Sequence, residues 1–292
     1  MIAKELRGKP VSDNIYLEIS DKVKKLSKIN IIPKLSAILI GDNPASQIYV
    51  NTKKRMFLKM GCNSEVFNLS VNINENELLH LIKKLNNDKT VHGILLQLPI
   101  PKHFDSNKIL RYIDPSKDVD GFHPENFGRL LQGTPKFIPC TPYGCIEILK
   151  HYKINLESKH VVIVGRSNIV GKPLMALLSQ KFPYANATVT ICHSYTSDLS
   201  NYTIQADILI VATGIPNLIS SSMIKKDTVI IDVGINRIED DSKKGYYIIG
   251  DVNYNDVLSK VSAITPVPGG VGPMTITMLL YNTVKAAELT II

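Results

Sequence analysis

Long apolar runs recur along the chain, and they are continuous rather than alternating with polar residues. Each is rich in Ile, Val and Leu and is separated from the next by a segment with helical periodicity. The runs cover residues 35–42, 91–101, 160–165, 187–194, 206–214 and 228–234. Continuous apolar runs are typical of strands buried on both faces of a parallel sheet. The pattern therefore predicts parallel β-structure.

Helical segments lie between these runs. One covers residues 46–61 and ends at Gly61, and another covers residues 74–88, where Asn74 and Glu77 form a cap-like pair. A third, residues 275–289, is an amphipathic helix at the end of the chain. Alternation of strand and helix predicts the α/β class with doubly wound sheets.

A proline-rich segment, TPKFIPCTPYG at residues 134–144, interrupts the alternation. A length of 292 residues predicts about two domains, so we place the boundary in this segment. The first domain would span residues 1–140 and the second residues 141–272. The C-terminal helix, about 273–292, is expected to pack back on the first domain.

Composition narrows the class of protein. With 44% hydrophobic and 21% charged residues, the chain is typical of a soluble globular protein, and no apolar run approaches the ~18 residues that span a bilayer. Its start lacks a hydrophobic signal core, so we predict a cytoplasmic protein without a membrane partner. The formal charge is +8, but the lysines are scattered, which does not favour nucleic acid. The four cysteines contain no CxxC pair, so neither a metal site nor a disulfide framework is predicted.

The sequence GRSNIVGKP, residues 165–173, joins an apolar run to a helical segment. It does not fit a P-loop, because Gly165 and Gly171 are one residue too far apart and Pro173 replaces the hydroxyl residue. It fits the dinucleotide fingerprint in context, although Ser167 replaces the middle glycine and the last glycine is displaced. A pyrophosphate would lie at the N-terminus of the following helix. A plain strand-to-helix turn is the alternative interpretation.

The choice of dinucleotide depends on the end of the next strand. An enzyme specific for NAD places an acid there, whereas this chain has no acid before Asp198. Arg166 and Ser194 are placed to meet a 2′-phosphate. These residues favour NADP over NAD.

Candidate catalytic groups occur in the first half of the chain. Tyr49 and Lys53 are spaced i and i+4, which places both on one face of a predicted helix. Gln97 ends an apolar run, at the carboxyl end of a strand where ligands bind in α/β sheets. Asp118 and Asp120 precede a glycine. A surface lysine beside a half-buried tyrosine, and an Asx turn at the two aspartates, are the alternatives.

Several motifs together resemble one family. YVNTKK, GILLQLPIP, KDVDGFHP, PCTPYG, GRSNIVGKP and ITPVPGGVGPMT, in this order and spacing, are similar to the bifunctional methylenetetrahydrofolate dehydrogenase/cyclohydrolase family. The resemblance runs from about Leu6 to the C-terminal helix. It implies two α/β domains, the second a Rossmann-like NADP-binding domain, with a ligand cleft between them and a homodimeric assembly. It also implies oxidation of 5,10-methylenetetrahydrofolate with NADP and hydrolysis of the 5,10-methenyl product to 10-formyltetrahydrofolate, a step of one-carbon metabolism.

The resemblance also implies residue roles. Lys53 would be the catalytic lysine, Tyr49 would stack on the folate, Gln97 would hydrogen-bond and tune the lysine, and Asp120 would hold the pterin. The remaining expected contacts are with folate, from Pro268, Gly269, Gly270, Val271 and Gly272, and with the dinucleotide, from Gly165, Arg166, Ser167, Ser194 and Ile235.

Two positions depart from the family pattern. Tyr195 stands where a second basic residue is frequent, which weakens the case for NADP, and His92 stands where an acid is common. An NADP-dependent dehydrogenase of another small substrate, built on the same two-domain plan as shikimate dehydrogenases, is the alternative function. It leaves YVNTK and PGGVGPMT unexplained.

Overall fold

A computed structural model describes residues 3–241 and 245–291. The chain divides into two compact units. The large-sheet unit comprises Met1–Asp13 and Thr141–Thr275, and the small-sheet unit comprises Asn14–Cys140 and Ile276–Ile292.

Strands and helices alternate through most of the chain. The strands are β1 (Lys4–Glu5), β2 (Lys34–Ile40), β3 (Asn63–Leu69), β4 (Gly93–Leu96), β5 (His160–Val164), β6 (Thr188–Cys192), β7 (Ile208–Val211), β8 (Val229–Asp232), β9 (Asn236–Glu239), β10 (Tyr246–Ile249) and β11 (Ala263–Ile264). The helices are α1 (Gly8–Ser27), α2 (Pro44–Lys59), α3 (Glu75–Asn87), α4 (Ser106–Leu110), α5 (Pro124–Leu131), α6 (Cys140–His151), α7 (Gly171–Leu178), α8 (Leu199–Thr203), α9 (Tyr254–Val257) and α10 (Val271–Glu288), with a short 3-10 helix at Ser221–Met223.

The large-sheet unit is built on a parallel sheet with the strand order β1-β11-β8-β7-β5-β6. Strand β5 lies between β6 and β7, so the order reverses at β5, and ligands bind at such switch points. An antiparallel pair, β9 and β10, is attached. One face of the sheet carries a core cluster of aliphatic side chains that includes Val162, Val164, Leu209, Val211, Ile230 and Ile264.

The small-sheet unit is built on a parallel sheet with the order β3-β2-β4. Helix α3 begins where the Asn74 side chain accepts a hydrogen bond from the Glu77 N–H at 2.9 Å, so the cap predicted from the sequence forms. This helix buries one side-chain stripe, Leu78, Ile82 and Leu85. The stripe packs with Ile38, Ile40, Ile94 and Leu96 of the sheet.

The predicted α/β architecture with parallel sheets is confirmed. Each of the predicted apolar runs contains a parallel strand. The run at 91–101 is a strand only over Gly93–Leu96, because Pro99 and Pro101 have no N–H with which to extend the ladder. Strand β3 was not predicted; it lies at a sheet edge and none of its residues is fully buried, so its sequence lacks a continuous apolar run.

The chain ends differ from the predicted division. The prediction assigned all of residues 1–140 to one domain, whereas Met1–Asp13 belongs to the large-sheet unit, because β1 pairs with β11. Most of α10 belongs to the small-sheet unit, where the Asn282 side chain donates to the carbonyls of Val119 and Ile138 at 2.8 and 2.9 Å. Within the described ranges, no helix combines the length and apolar character needed to cross a membrane.

Candidate functional site

Lys53 occupies a core position of α2. The helix begins after Asn43, whose side chain accepts from the Ser46 N–H at 3.0 Å. Val50, Lys53 and Phe57 have helical spacing and are 2%, 5% and 0% exposed. A lysine on a buried helical stripe is costly unless its amine finds a partner. The surface-lysine interpretation is therefore wrong.

The Lys53 amine has two close partners in the small-sheet unit. Nζ donates to Gln97 Oε1 at 3.0 Å and lies 4.4 Å from the centroid of the Tyr49 ring. Gln97 is fixed in turn, because its Nε2 donates to the carbonyl of Leu98 at 2.8 Å. The structure thus brings together Tyr49, Lys53 and Gln97, from a helix and from the carboxyl end of a strand.

A carboxylate and a thiol complete this group. Burial lowers the pKa of Lys53, and the nearby Asp120 and Cys140 oppose that shift. Desolvation raises the pKa of the Asp120 carboxyl, with Lys53 as the main opposing influence. A positive amine and a negative carboxylate therefore stabilise each other in a site where neither charge is well solvated.

The two aspartates of the DVDG segment have different environments. Asp118 is 2% exposed and accepts from the N–H groups of Phe122 and His123 at 3.2 and 2.8 Å and from Asn126 Nδ2 at 2.8 Å. Asp118 therefore has a structural role in this loop, through N–H groups four and five residues on rather than the one two residues on that defines an Asx turn. Asp120 is half-buried and interacts with Lys53.

Cys140 is a neighbour that the sequence prediction did not assign to the site. It is 1% exposed, and its Sγ contacts the Val119 carbonyl at 3.5 Å. Burial, with Asp120 second, raises the pKa of the thiol well above its usual value, so Cys140 is a neutral donor. Its presence in the PCTPYG motif was the available signal.

The glycine loop forms a backbone cradle in the large-sheet unit. Gly165 has φ +124°, and a side chain there would collide with the Ala212 carbonyl. A side chain on Gly171 would collide with the Gly165 carbonyl. Helix α7 begins at Gly171, so Pro173 lies in its first turn, where no N–H is required. The cradle therefore has the glycines and the helix N-terminus that a pyrophosphate needs.

A pocket of about 410 Å³ opens beside this cradle, at the carboxyl ends of β5, β6 and β7. Its lining includes Gly165, Arg166, Ser167 and Ser194, four of the five predicted dinucleotide contacts. The Arg166 guanidinium lies 5.6 Å from the centroid of the Tyr195 ring. Tyr195, which stands where the family pattern has a second basic residue, thus makes a cation–π contact with the arginine.

The fifth predicted dinucleotide contact, Ile235, lies apart from the other four. It lines a separate pocket of about 260 Å³ in the large-sheet unit, together with Pro268, Gly269, Gly270, Val271 and Gly272. Val271 and Gly272 belong to the first turn of α10 rather than to a loop. Among the described residues, no group of three or more His, Cys, Asp or Glu is arranged to hold a metal ion.

Comparison with known proteins assigns both units to one family. The family model described as tetrahydrofolate dehydrogenase/cyclohydrolase, catalytic domain, matches residues 6–120, and its NAD(P)-binding domain matches residues 139–291. Bifunctional protein FolD of Chloroherpeton thalassium is 52% identical over 287 residues, which cover 97% of this chain and 98% of that protein. The protein of the same name from Acetivibrio thermocellus is 52% identical over 290 residues, which cover 99% and 98%.

Solved structures agree with these matches. The bifunctional enzyme FolD, methylenetetrahydrofolate dehydrogenase/cyclohydrolase, from Campylobacter jejuni is 50% identical with a TM-score of 0.93, covering 99% of both chains. The methylenetetrahydrofolate dehydrogenase-cyclohydrolase of Trypanosoma brucei, complexed with NADP cofactor and inhibitor, is 33% identical with a TM-score of 0.94, covering 100% of this chain and 99% of that one. The resemblance predicted from the motifs is confirmed, and the chain belongs to the tetrahydrofolate dehydrogenase/cyclohydrolase family.

Proposed function

We propose that the protein is a bifunctional enzyme that oxidises 5,10-methylenetetrahydrofolate with NADP and hydrolyses the 5,10-methenyl product to 10-formyltetrahydrofolate. The observation that carries the proposal is the buried Lys53 amine, bonded to Gln97 and facing the Tyr49 ring. A buried amine is costly in a fold, and it has a use where a proton must be moved near neutral pH.

The hydrolytic step requires a proton to leave a water molecule and another to reach a ring nitrogen. Lys53 is the proposed proton carrier, because burial lowers the pKa of its amine toward the range in which a base is effective. Gln97 Oε1 accepts from Nζ and so orients the remaining lone pair or proton of the amine. Asp120 is proposed to hold the pterin, and its charge moderates the pKa shift of Lys53.

The oxidation step depends on placement more than on an acid or base. A bound dinucleotide supplies the hydride acceptor. The Tyr49 ring of the small-sheet unit offers a flat face on which folate can stack, and we propose folate contacts for the pocket-lining segment Pro268–Gly272 of the large-sheet unit. Ile235 is proposed to contact the nicotinamide end, because it lines the same pocket as that segment.

NADP is the proposed dinucleotide. Gly165 and Gly171 let the loop pack closely on backbone where any side chain would collide, and the loop leads into the N-terminus of α7, where a pyrophosphate is favoured. Arg166 and Ser194 line the adjacent pocket, and none of the described residues that line it is an acid that would repel a 2′-phosphate. The cation–π contact with Tyr195 keeps the guanidinium at the pocket wall.

The predicted roles of the domains follow from this assignment. We propose that the small-sheet unit is the catalytic, folate-binding domain and that the large-sheet unit is the NADP-binding domain. A homodimer in the cytoplasm remains our prediction for the assembly and its location, and sedimentation of the purified protein measures the former.

The test supplies 5,10-methylenetetrahydrofolate with NADP or NAD and follows NADPH together with the methenyl product. A second reaction supplies 5,10-methenyltetrahydrofolate alone and follows its hydrolysis. The proposal predicts turnover in both reactions and a higher kcat/KM with NADP. Shikimate with NADP is the comparison for the alternative dehydrogenase function. Turnover of shikimate, with neither folate substrate converted, would overturn the proposal.

A further inference from the structure

Asp251 is a fully buried carboxylate that follows β10 in the large-sheet unit. Its Oδ2 accepts from the Thr213 N–H at 2.6 Å, from Thr213 Oγ1 at 2.9 Å and from the Gly214 N–H at 2.9 Å. Its Oδ1 accepts from Asn236 Nδ2 at 2.8 Å. The carboxylate therefore satisfies donors from the loop after β7 and from Asn236, the first residue of β9, which directly follows the loop after β8.

These two loops line the two pockets of the unit. The loop after β7 contributes Thr213 and Ile215 to the pocket beside the glycine cradle. The loop after β8 contributes Gly234 and Ile235 to the pocket that contains Pro268–Gly272. Asp251 is thus hydrogen-bonded to Thr213, which lines the pocket beside the glycine cradle. It is also hydrogen-bonded to Asn236, which directly follows Ile235 of the other pocket.

A second carboxylate holds Asp251 in place. Asp232, at the end of β8, is 3% exposed and accepts from the N–H groups of Asp251 and Gly234 at 3.0 and 2.9 Å, and from the Val252 N–H at 2.9 Å. A side chain on Gly234 would collide with the Asp251 carboxylate. Both carboxylates are thus packed against backbone and fixed by hydrogen bonds to it.

We infer that Asp251 is a positioning residue for hydride transfer, which sets the loop after β7 and the loop after β8 at a fixed separation. The inference rests on the proposed function, because the first loop would contact the NADP and the second, through Ile235, its reacting end. Asp251 touches neither ligand in this assignment and acts through Thr213 and Asn236.

The physical reason is the sensitivity of hydride transfer to geometry. A displacement of about 1 Å between reacting groups can cost ~100-fold in rate. Backbone N–H groups left without an acceptor in a buried site would draw the loop after β7 toward other partners. Hydrolysis of the methenyl compound uses Lys53 and no dinucleotide. Replacing Asp251 should therefore lower the rate of the dehydrogenase reaction and leave the rate of hydrolysis unchanged.

The primary variant is Asp251→Ala, and the expected result is a ~10- to 100-fold lower dehydrogenase kcat/KM for NADP with methenyl hydrolysis retained. Asp251→Asn should recover much of that loss, because its amide oxygen can accept from Thr213 and Gly214 while the Asn236 amide group rotates to accept from the new amide nitrogen.

The matched control is Asp207→Ala. That carboxylate lies at the opposite end of β7, accepts from the His160 N–H at 2.9 Å and pairs with Lys225 at 2.6 Å. Its removal should leave both dehydrogenase constants unchanged.

Three results would overturn the inference: an unchanged dehydrogenase kcat/KM in Asp251→Ala, equal loss of both activities in a folded variant, or no recovery in Asp251→Asn. If Asp251→Ala does not fold, Asn236→Ala decides, since it frees only the loop after β8. It should lower kcat while the KM for NADP stays unchanged, and an unchanged kcat overturns the inference.

Calorimetric titration with NADP separates this inference from the proposed function. A wild-type protein without dehydrogenase turnover refutes the proposed function. In a protein without turnover, weaker NADP binding in Asp251→Ala than in wild type would still show that Asp251 sets the loop after β7 at the dinucleotide. Equal NADP binding together with an unchanged dehydrogenase kcat/KM would overturn the positioning role.

Discussion

Replacing Lys53 with methionine tests the proposed chemistry with little change in side-chain volume. The variant loses the 3.0 Å hydrogen bond to Gln97 Oε1 and the positive charge beside Asp120. An amide oxygen left without its donor costs about 1–3 kcal/mol, and removal of a buried amine offsets part of that cost. The variant should therefore fold, with an unfolding free energy lower than that of the wild type by about 1–3 kcal/mol.

Catalysis should change far more than stability. Proton transfer by a positioned side chain contributes ~10²–10⁴ in rate, which corresponds to about 3–5 kcal/mol of the activation barrier. We expect hydrolysis of 5,10-methenyltetrahydrofolate to fall by at least about 100-fold in Lys53→Met. NADPH should still bind, because the glycine cradle belongs to the other unit.

The assay follows loss of methenyl absorbance at saturating substrate, beside NADPH binding by fluorescence. Lys54→Met is the matched control, because Lys54 is the next residue of α2 and is exposed. It should retain wild-type rates. Unchanged methenyl hydrolysis in Lys53→Met, in a folded protein, would refute the assignment of Lys53 as the proton carrier.

Three further predictions concern Asp120, which interacts with Lys53, and Arg166, which lines the pocket beside the glycine cradle. Asp120 raises the pKa of Lys53, so Asp120→Asn should lower that pKa and move the acid limb of the hydrolysis kcat to lower pH, and a move to higher pH contradicts the proposed interaction. Asp120→Ala should mainly raise the KM for folate, measured by initial rates, and an unaltered KM would count against the pterin-holding role. Arg166→Ala should raise the KM for NADP more than that for NAD, whereas equal effects would remove the argument for 2′-phosphate recognition.

The sheets were predictable because burial on both faces leaves a continuous apolar run. The run at 160–165 needs no tertiary information to be assigned as a strand, and β5 occupies His160–Val164. Strand β3 and the antiparallel pair β9 and β10 are partly exposed, so their residues carry no comparable signal. The pairing of β1 with β11 joins residues at opposite ends of the chain, which no local pattern encodes.

The residues of the candidate site were likewise predictable where their signal is local in sequence and were missed where it is not. The i, i+4 spacing of Tyr49 and Lys53 and the position of Gln97 at a strand end are local features, and the structure brings these three side chains together. Cys140 and Asp251 were missed, because their partners are distant in sequence: Asp120 for the thiol, and the loops after β7 and β8 for the carboxylate. A buried polar residue is recognised only when its neighbours are known.

The most direct test of the account is the product balance of one incubation. The purified protein is supplied with 5,10-methylenetetrahydrofolate and NADP, and NADPH and 10-formyltetrahydrofolate are quantified at the end. The account predicts that both accumulate in equal amounts, because the same chain catalyses the oxidation and the hydrolysis. NADPH formation in which hydrolysis of the methenyl product is no faster than in protein-free buffer would contradict it.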